Sequence, residues 1–469
     1  MIFSLKRFKK VVFSLTIIFL LQSCGDDNEY VDITEDNFPD LTERLYAGGK
    51  TTIFSNTSNG YSTPAPNLSG SELSRHLEGD IDFESIFVTA PANINSGLGP
   101  IFNNSSCISC HPRDGRAAHP QNIQARSGLL LRTSLPGNGS NENPITVNGF
   151  GLQIQNQAIF NFQPEAEYTV QYQEIAEKLA DGTIVYLRKP IFNVTNTYIP
   201  FPENALLSPR IAPPVFGLGL LELISDTDLI NSQDINDSNG DGISGKLNYV
   251  WNPLTQQTEI GKFGWKANTP NLLIQCAAAY VEDMGITNSV FPFETGHDQS
   301  NGNDHLNDDA ELSDEILHNA VFYTRTLAVP APRNINDKDV KKGAKLFADL
   351  QCATCHTPKQ QTGFSEISAL SFQTFYPYTD QLLHDMGEGL ADNRPDFLAN
   401  GREWKTRPLW GIGLTFVVNN HTHFLHDGRA RNITEAILWH GGEAENAKQN
   451  FKKLSKEDRE ALLKFINSL

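Results

Sequence analysis

Two pentapeptides organise this chain: Cys107-Ile108-Ser109-Cys110-His111 and, far downstream, Cys352-Ala353-Thr354-Cys355-His356. In each, one helical turn separates two thiols, so both can add to the two vinyl groups of a single porphyrin. The histidine that follows then aims a ring nitrogen at the iron. Chance expects roughly 0.002 such pentapeptides in a chain of this composition, so two are a signal. A zinc ribbon would want its second pair about 15 to 20 residues on, and these pairs are far apart. A thioredoxin-type pair would open a helix inside a βαβ unit and would not recur with matching flanks. Two covalently bound haem c groups are therefore expected, on Cys107 and Cys110 and on Cys352 and Cys355, with His111 and His356 as iron ligands.

The flanks of the motifs repeat as well. Gly99-Pro100-Ile101-Phe102 precedes the first and Ala344-Lys345-Leu346-Phe347 the second, each phenylalanine five residues before its cysteine. Val340 to Leu350 has helical periodicity, with Asp337 or Asp339 as cap. Further on, Arg210-Ile211-Ala212-Pro213-Pro214-Val215-Phe216-Gly217 echoes Arg407-Pro408-Leu409-Trp410-Gly411, a Pro-then-Gly loop suited to wrap a haem edge. These features predict a mainly α fold of two cytochrome c-like haem domains, residues 71–330 and 335–469, the first with a β-rich insertion at about 120–205. Within that insertion Asp181-Gly182 separates two apolar runs as a hairpin turn would. Residues 314–327 read as a helix. Leu454 to Leu469 reads as an amphipathic helix capped by Ser455, with Asp458 at its third position.

With 469 residues the chain is too long for one ordinary core. Its net charge of -18 argues against nucleic acid and against docking on an anionic membrane. It suits solubility, or an acidic face for a basic electron donor. Residues 1–24 read as a lipoprotein signal: Lys6, Arg7, Lys9 and Lys10, an apolar run from Val11 to Leu21 too short to span a bilayer, then Leu21-Gln22-Ser23-Cys24-Gly25. That last string resembles a lipobox with Cys24 as the lipidated residue, followed by a polar tether over residues 25–70. The expectation is a bacterial cell-envelope protein, lipid-anchored and facing the periplasm or the outer surface. Cys276 stands alone in an apolar stretch and reads as a small buried hydrophobe, so no disulfide framework is expected.

Taken together, the motifs resemble the di-haem oxidoreductase family, related to bacterial di-haem cytochrome c peroxidases and MauG-type enzymes. The resemblance runs from Arg75 to Leu469. It is carried by Gly97 to His111 with Asp114-Gly115-Arg116, then Ser208 to Glu222, Phe263 to Thr287, His384 to Arg394 and Thr406 to Glu443. In the relatives the far-side ligand of the second haem follows a His-Asp-Gly segment and a short helix, and is Met or Tyr. Here His426-Asp427-Gly428 and the stretch around Glu435 lead to His440 at that position, with His421, His423 and Met386 as rivals. An imidazole there would lower the potential relative to a thioether. The relatives also carry a tryptophan between the haems, then a Gln and a Glu on the open face of the peroxide-reducing haem. The matching positions are Trp265, Gln275 and Glu282, although Lys266-Ala267 replaces the usual Asp-Gly. Met284 and His119 are further candidates near the first haem.

The resemblance thus implies a peroxidase. Its second haem would take electrons from a cytochrome or cupredoxin donor and pass them to the first, where a carboxylate moves the proton that peroxide cleavage needs. The alternatives are MauG-like oxidation of a partner or organic substrate, and a pure electron-transfer cytochrome. One further segment, Asp237-Ser238-Asn239-Gly240-Asp241-Gly242, opens like a calcium loop through Asp237, Asn239 and Asp241, with Asn248 where an EF-hand has Glu.

Overall fold

The computed structural model describes residues 37–120, 127–296, 299–303, 305–306 and 308–469. Cys24, the signal and the first part of the tether lie outside them.

Each motif is flanked by a pair of crossing helices. Ser69 opens the first helix, Gly70–Glu84, with a reciprocal capping box to Glu72, and this helix buries His76, Gly79 and Phe83 against Asp314–Thr326, itself capped by Ser313. Asp337 caps Lys338–Asp349, which crosses Lys456–Ser468, capped by Ser455. Both crossings turn on a glycine. A methyl group at Gly79 would run into the Asn319 carbonyl, and one at Gly343 into the Ala461 carbonyl. Phe83 then faces the His111 ring at 6.4 Å, and Phe347 faces His356 at 6.3 Å. The counterpart of Phe347 is therefore Phe83. Phe102, which matches it in spacing, lies in a two-residue strand paired with Gln157–Ala158.

A mainly α fold is overturned. The chain is 31% helix and 19% strand, and its strands form seven small sheets among the described residues. Two cytochrome c-like domains are not shown; what repeats is a helix crossing set in strand-rich and irregular chain. Leu129–Asn138 pairs antiparallel with Leu206–Ile211. Glu167–Lys178 and Ile184–Thr195 form a long hairpin around Asp181-Gly182. That hairpin lies against the C-terminal part of the chain: Ala180 N–H donates to the Lys452 carbonyl at 2.9 Å, and Arg188 Nε to that of Arg429 at 2.9 Å. Most of the other strands have two to four residues, too short for alternation to show in sequence.

Part of the segment read as tether is packed. Thr52–Ile53 pairs with Val329–Pro330, and buried Tyr61 donates its hydroxyl to the Gly411 carbonyl at 2.6 Å. The largest apolar cluster runs from Cys110 and Trp265 to Phe347, Trp404, Trp439 and Phe465, so one core joins the surroundings of both motifs.

Candidate functional site: two histidine cradles and the side chains between them

Cys107–Cys110 and Cys352–Cys355 are each a single helical turn. His111 N–H donates to the Cys107 carbonyl at 2.9 Å, and His356 N–H to that of Cys352 at 3.0 Å, which fixes each ring beside its two thiols. Each ring is then oriented by a backbone carbonyl. His111 Nδ1 donates to Pro213 O at 2.7 Å, and His356 Nδ1 to Tyr378 O at 3.0 Å. A carbonyl can only accept, so Nδ1 carries the proton and Nε2 keeps its lone pair. Burial pushes both rings down to about 4, so they are neutral imidazoles at physiological pH. Burial likewise raises all four motif thiols, which are held protonated. Neutral histidines with a free Nε2 beside paired thiols fit iron ligation and thioether attachment of a haem.

His440 has the same preparation. Its Nδ1 donates to Ala436 O at 2.7 Å, burial lowers its pKa, and it stands close enough to His356 to disfavour protonation of that ring. Of the rivals, His421 and His423 lie against the segment that follows the first motif, whereas Met386 lies beside Gly441. His421 and His423 stack on each other at 5.0 Å. His421 Nε2 donates to the Arg116 carbonyl, and His423 Nδ1 accepts the His119 N–H. His119 pairs with the Tyr172 hydroxyl at 2.7 Å, and Met386 packs against the main core cluster.

The first motif opens on a cavity of about 200 Å³. His111 is the one histidine among the described residues of its wall, which also holds Gln275, Glu282, Met284 and Trp265. Gln275 Oε1 accepts from the Thr269 hydroxyl at 2.7 Å. Glu282 is ion-paired with Arg132, which reaches in from the Leu129–Asn138 strand, and Gln153 Nε2 donates to the neighbouring Asp283 at 2.7 Å. Burial pushes Asp283 up to about 6, so this second acid of the cavity wall can exchange a proton near neutral pH. Cys276 also lines the cavity, half-buried, with Thr324 Oγ1 at 4.0 Å.

Trp265 is buried, and its Nε1 donates to the Ile211 carbonyl at 2.9 Å. His426 meets it edge-on at 6.4 Å and stacks on Trp404 at 3.9 Å and 9°. Trp404 pairs across a strand with His384, whose ring touches the Cys355 sulfur at 3.6 Å. An aromatic series therefore runs from the first cavity to the second motif. The Lys266-Ala267 departure is accommodated. Ala267 takes the left-handed backbone a glycine would, and the fully buried Lys266 Nζ donates to Asp392 at 2.7 Å and to the Arg394 and Asn400 carbonyls.

Cys355, Asp380 and His384 have ligand atoms within 4.8 Å of one another. Burial opposes a charge on His384, yet bonds to Asp380, the Cys355 sulfur and Glu443 outweigh it and push its pKa well above the ordinary value. The two carboxylates thus favour its cationic form. At the suggested calcium loop, Asp237, Asn239 and Asp241 each accept a backbone N–H of their own turn, while Asn248 points into the core, donating to Lys266 O and Asp396 O.

Sequence reading alone missed Arg132, Asp283, Trp404 and His426. His426 had a signal in the His-Asp-Gly segment and Asp283 in its place beside Glu282, whereas Arg132 and Trp404 had none.

Two cradles joined by buried aromatic rings define a di-haem redox protein. The sequence matches the family described as "Di-haem oxidoreductase, putative peroxidase" over residues 41–469, and the chain belongs to that family. It is accordingly an oxidoreductase of peroxidase type. No curated protein matches. Among solved structures, a hydrazine synthase of Kuenenia stuttgartiensis pressurised with xenon is similar at 12% identity and a TM-score of 0.36, covering 97% of this chain and 100% of that one. A likeness that weak carries no argument.

Proposed function

We propose that the protein reduces hydrogen peroxide, drawing electrons singly from a small donor cytochrome or cupredoxin at the second motif and using them at the first. The observation that supports this best is an asymmetry. His356 has a second prepared imidazole, His440, beside it, whereas the cavity of His111 offers Gln275 and Glu282. When bound, haem supplies the redox couple at each cradle. Cys107 and Cys110, and Cys352 and Cys355, would hold it covalently, and His111, His356 and His440 would ligate iron. Reduction of peroxide to water consumes two electrons and two protons. Glu282, held by Arg132, moves a proton between the two peroxide oxygens, and the guanidinium favours the developing negative charge on the departing one. Gln275 orients the peroxide. Asp283 resupplies the proton. Trp265 lies on the electron path, and His426 and Trp404 extend that path to the second motif.

Electron paramagnetic resonance of the oxidised protein tests the asymmetry: one low-spin and one high-spin ferric signal are expected, and two low-spin ferric signals, with the first remaining low-spin once the second haem is reduced, would leave an electron carrier. We place the protein in the cell envelope on a lipid at Cys24, which mass spectrometry of the mature N-terminus tests. Calcium at Asp237, Asn239 and Asp241 is proposed on the loop sequence alone. A chelator should then lower the unfolding temperature.

A further inference from the structure

Three arginines enter the wall of the first cavity: Arg132, Arg210 and Arg407. Arg132 pairs with Glu282, and Arg210 with Asp396. Arg407 is different. Among the described residues no carboxylate pairs with it and no acceptor takes its N–H groups. The charge acting on it is a like one, Arg116. Arg116 is itself buried, has no carboxylate partner among the described residues, and keeps its Nε without a hydrogen bond. Both guanidiniums lie over the Trp265 ring, Arg407 at 5.0 Å and Arg116 at 5.7 Å. Attraction to the ring face recovers only part of what desolvation costs a guanidinium. Two neighbouring cations without a counter-charge, Arg116 buried and Arg407 half-buried at the cavity wall, point to an anion that completes the site.

We propose that Arg407, backed by Arg116, is the receptor for the propionate carboxylates of the porphyrin held by Cys107 and Cys110. This rests on the haem reading of the first motif. A porphyrin carries its propionates on the edge away from the two vinyl-derived thioethers, so tethering one edge at the cysteines sends the carboxylates across the cavity. Arg407 can take a carboxylate through two parallel N–H bonds, a geometry that lysine lacks. The contact turns the propionate edge toward Trp265, and so toward His426 and Trp404. It also neutralises a cationic pair that would otherwise oppose a ferric centre. The shared chemistry is carboxylate recognition, and a free carboxylate entering the cavity is the other source.

The test uses the haem-loaded protein and three readings. Pyridine haemochrome should return two haems per chain for wild type, R407Q and R407K; fewer in wild type would defeat the haem reading itself, separately from this proposal. Spectroelectrochemistry of R407Q should then move the midpoint potential of the first haem to lower values and leave the second unchanged, because a positive charge beside that iron is lost. An unmoved first potential overturns the proposal. Should R407Q fold poorly, R407K serves: the propionate-bending band of the first haem in resonance Raman should shift as the two-point contact becomes one-point, and an unshifted band overturns the proposal. Finally, acetate titrated into wild type should leave the first haem's Soret band unchanged. A saturable acetate response in wild type that R407Q abolishes would show the guanidinium open to free carboxylates, and the propionate assignment would fall.

Discussion

Replacing Glu282 with Gln separates chemistry from folding. The carboxylate is ion-paired with Arg132, with side chains 25% and 14% exposed respectively. Gln has the same length and still offers an oxygen to the guanidinium, so Arg132 is not left without an acceptor. Breaking a fully buried pair costs about 3–5 kcal/mol and an exposed one about 0–1. With a partner retained at this part-exposed site, the expected loss of stability is about 1 kcal/mol. The amide, however, cannot shuttle a proton. General acid–base help is worth ~10²–10⁴ in rate, or about 3–5 kcal/mol of barrier. The rate should therefore fall far more than stability does. Stopped-flow mixing of pre-reduced protein with peroxide reads the first quantity, and urea unfolding the second. Asp283, pushed up to about 6 by burial, remains as a donor in the protonated form, so the residual rate should decline as pH rises through about 6. A rate within threefold of wild type, or a loss that merely tracks missing haem, refutes the role of Glu282.

His440→Ala should keep both haems attached and convert one low-spin signal to high-spin; an unchanged spectrum removes His440 as ligand. Trp404→Leu deletes the ring stacked 3.9 Å from His426 and should slow electron transfer between the haems while sparing peroxide binding at the first; flash photolysis showing an unaltered transfer rate would exclude the Trp404 path. Gly343→Ala places a methyl against the Ala461 carbonyl and 2.6 Å from Phe465 Cβ. Overpacking of this kind costs about 1–3 kcal/mol, more than the helix propensity gained, so a stabilised variant in urea unfolding would contradict the helix crossing.

The parts of this molecule legible in sequence are those with short-range rules. The Cys-x-x-Cys-His turns, the Asp337 and Ser455 caps and the Asp181-Gly182 hairpin each depend on residues a few positions apart. The resemblance pointed to the family to which the chain belongs. The fold class was misread because strands such as Gln360–Gln361 and Leu383–Asp385 are too short to alternate, and because the long hairpin's partner lies in the C-terminal part of the chain. The repeat was placed on Phe102 by spacing, whereas the ring facing His111 is Phe83, separated from its cysteine by a long loop. Arg132 and Asp392 are partners supplied from distant segments, to Glu282 and Lys266 respectively, and no local pattern announces either.

The central claim is that electrons entering at the second motif reduce peroxide at the first. It is tested most directly by reducing the protein with two electrons and mixing it with one equivalent of hydrogen peroxide under stopped-flow observation. The account predicts that the ferrous absorbance of the second haem disappears in step with peroxide, and that Glu282→Gln slows this. A ferrous second haem that persists while peroxide stays unconsumed would contradict it.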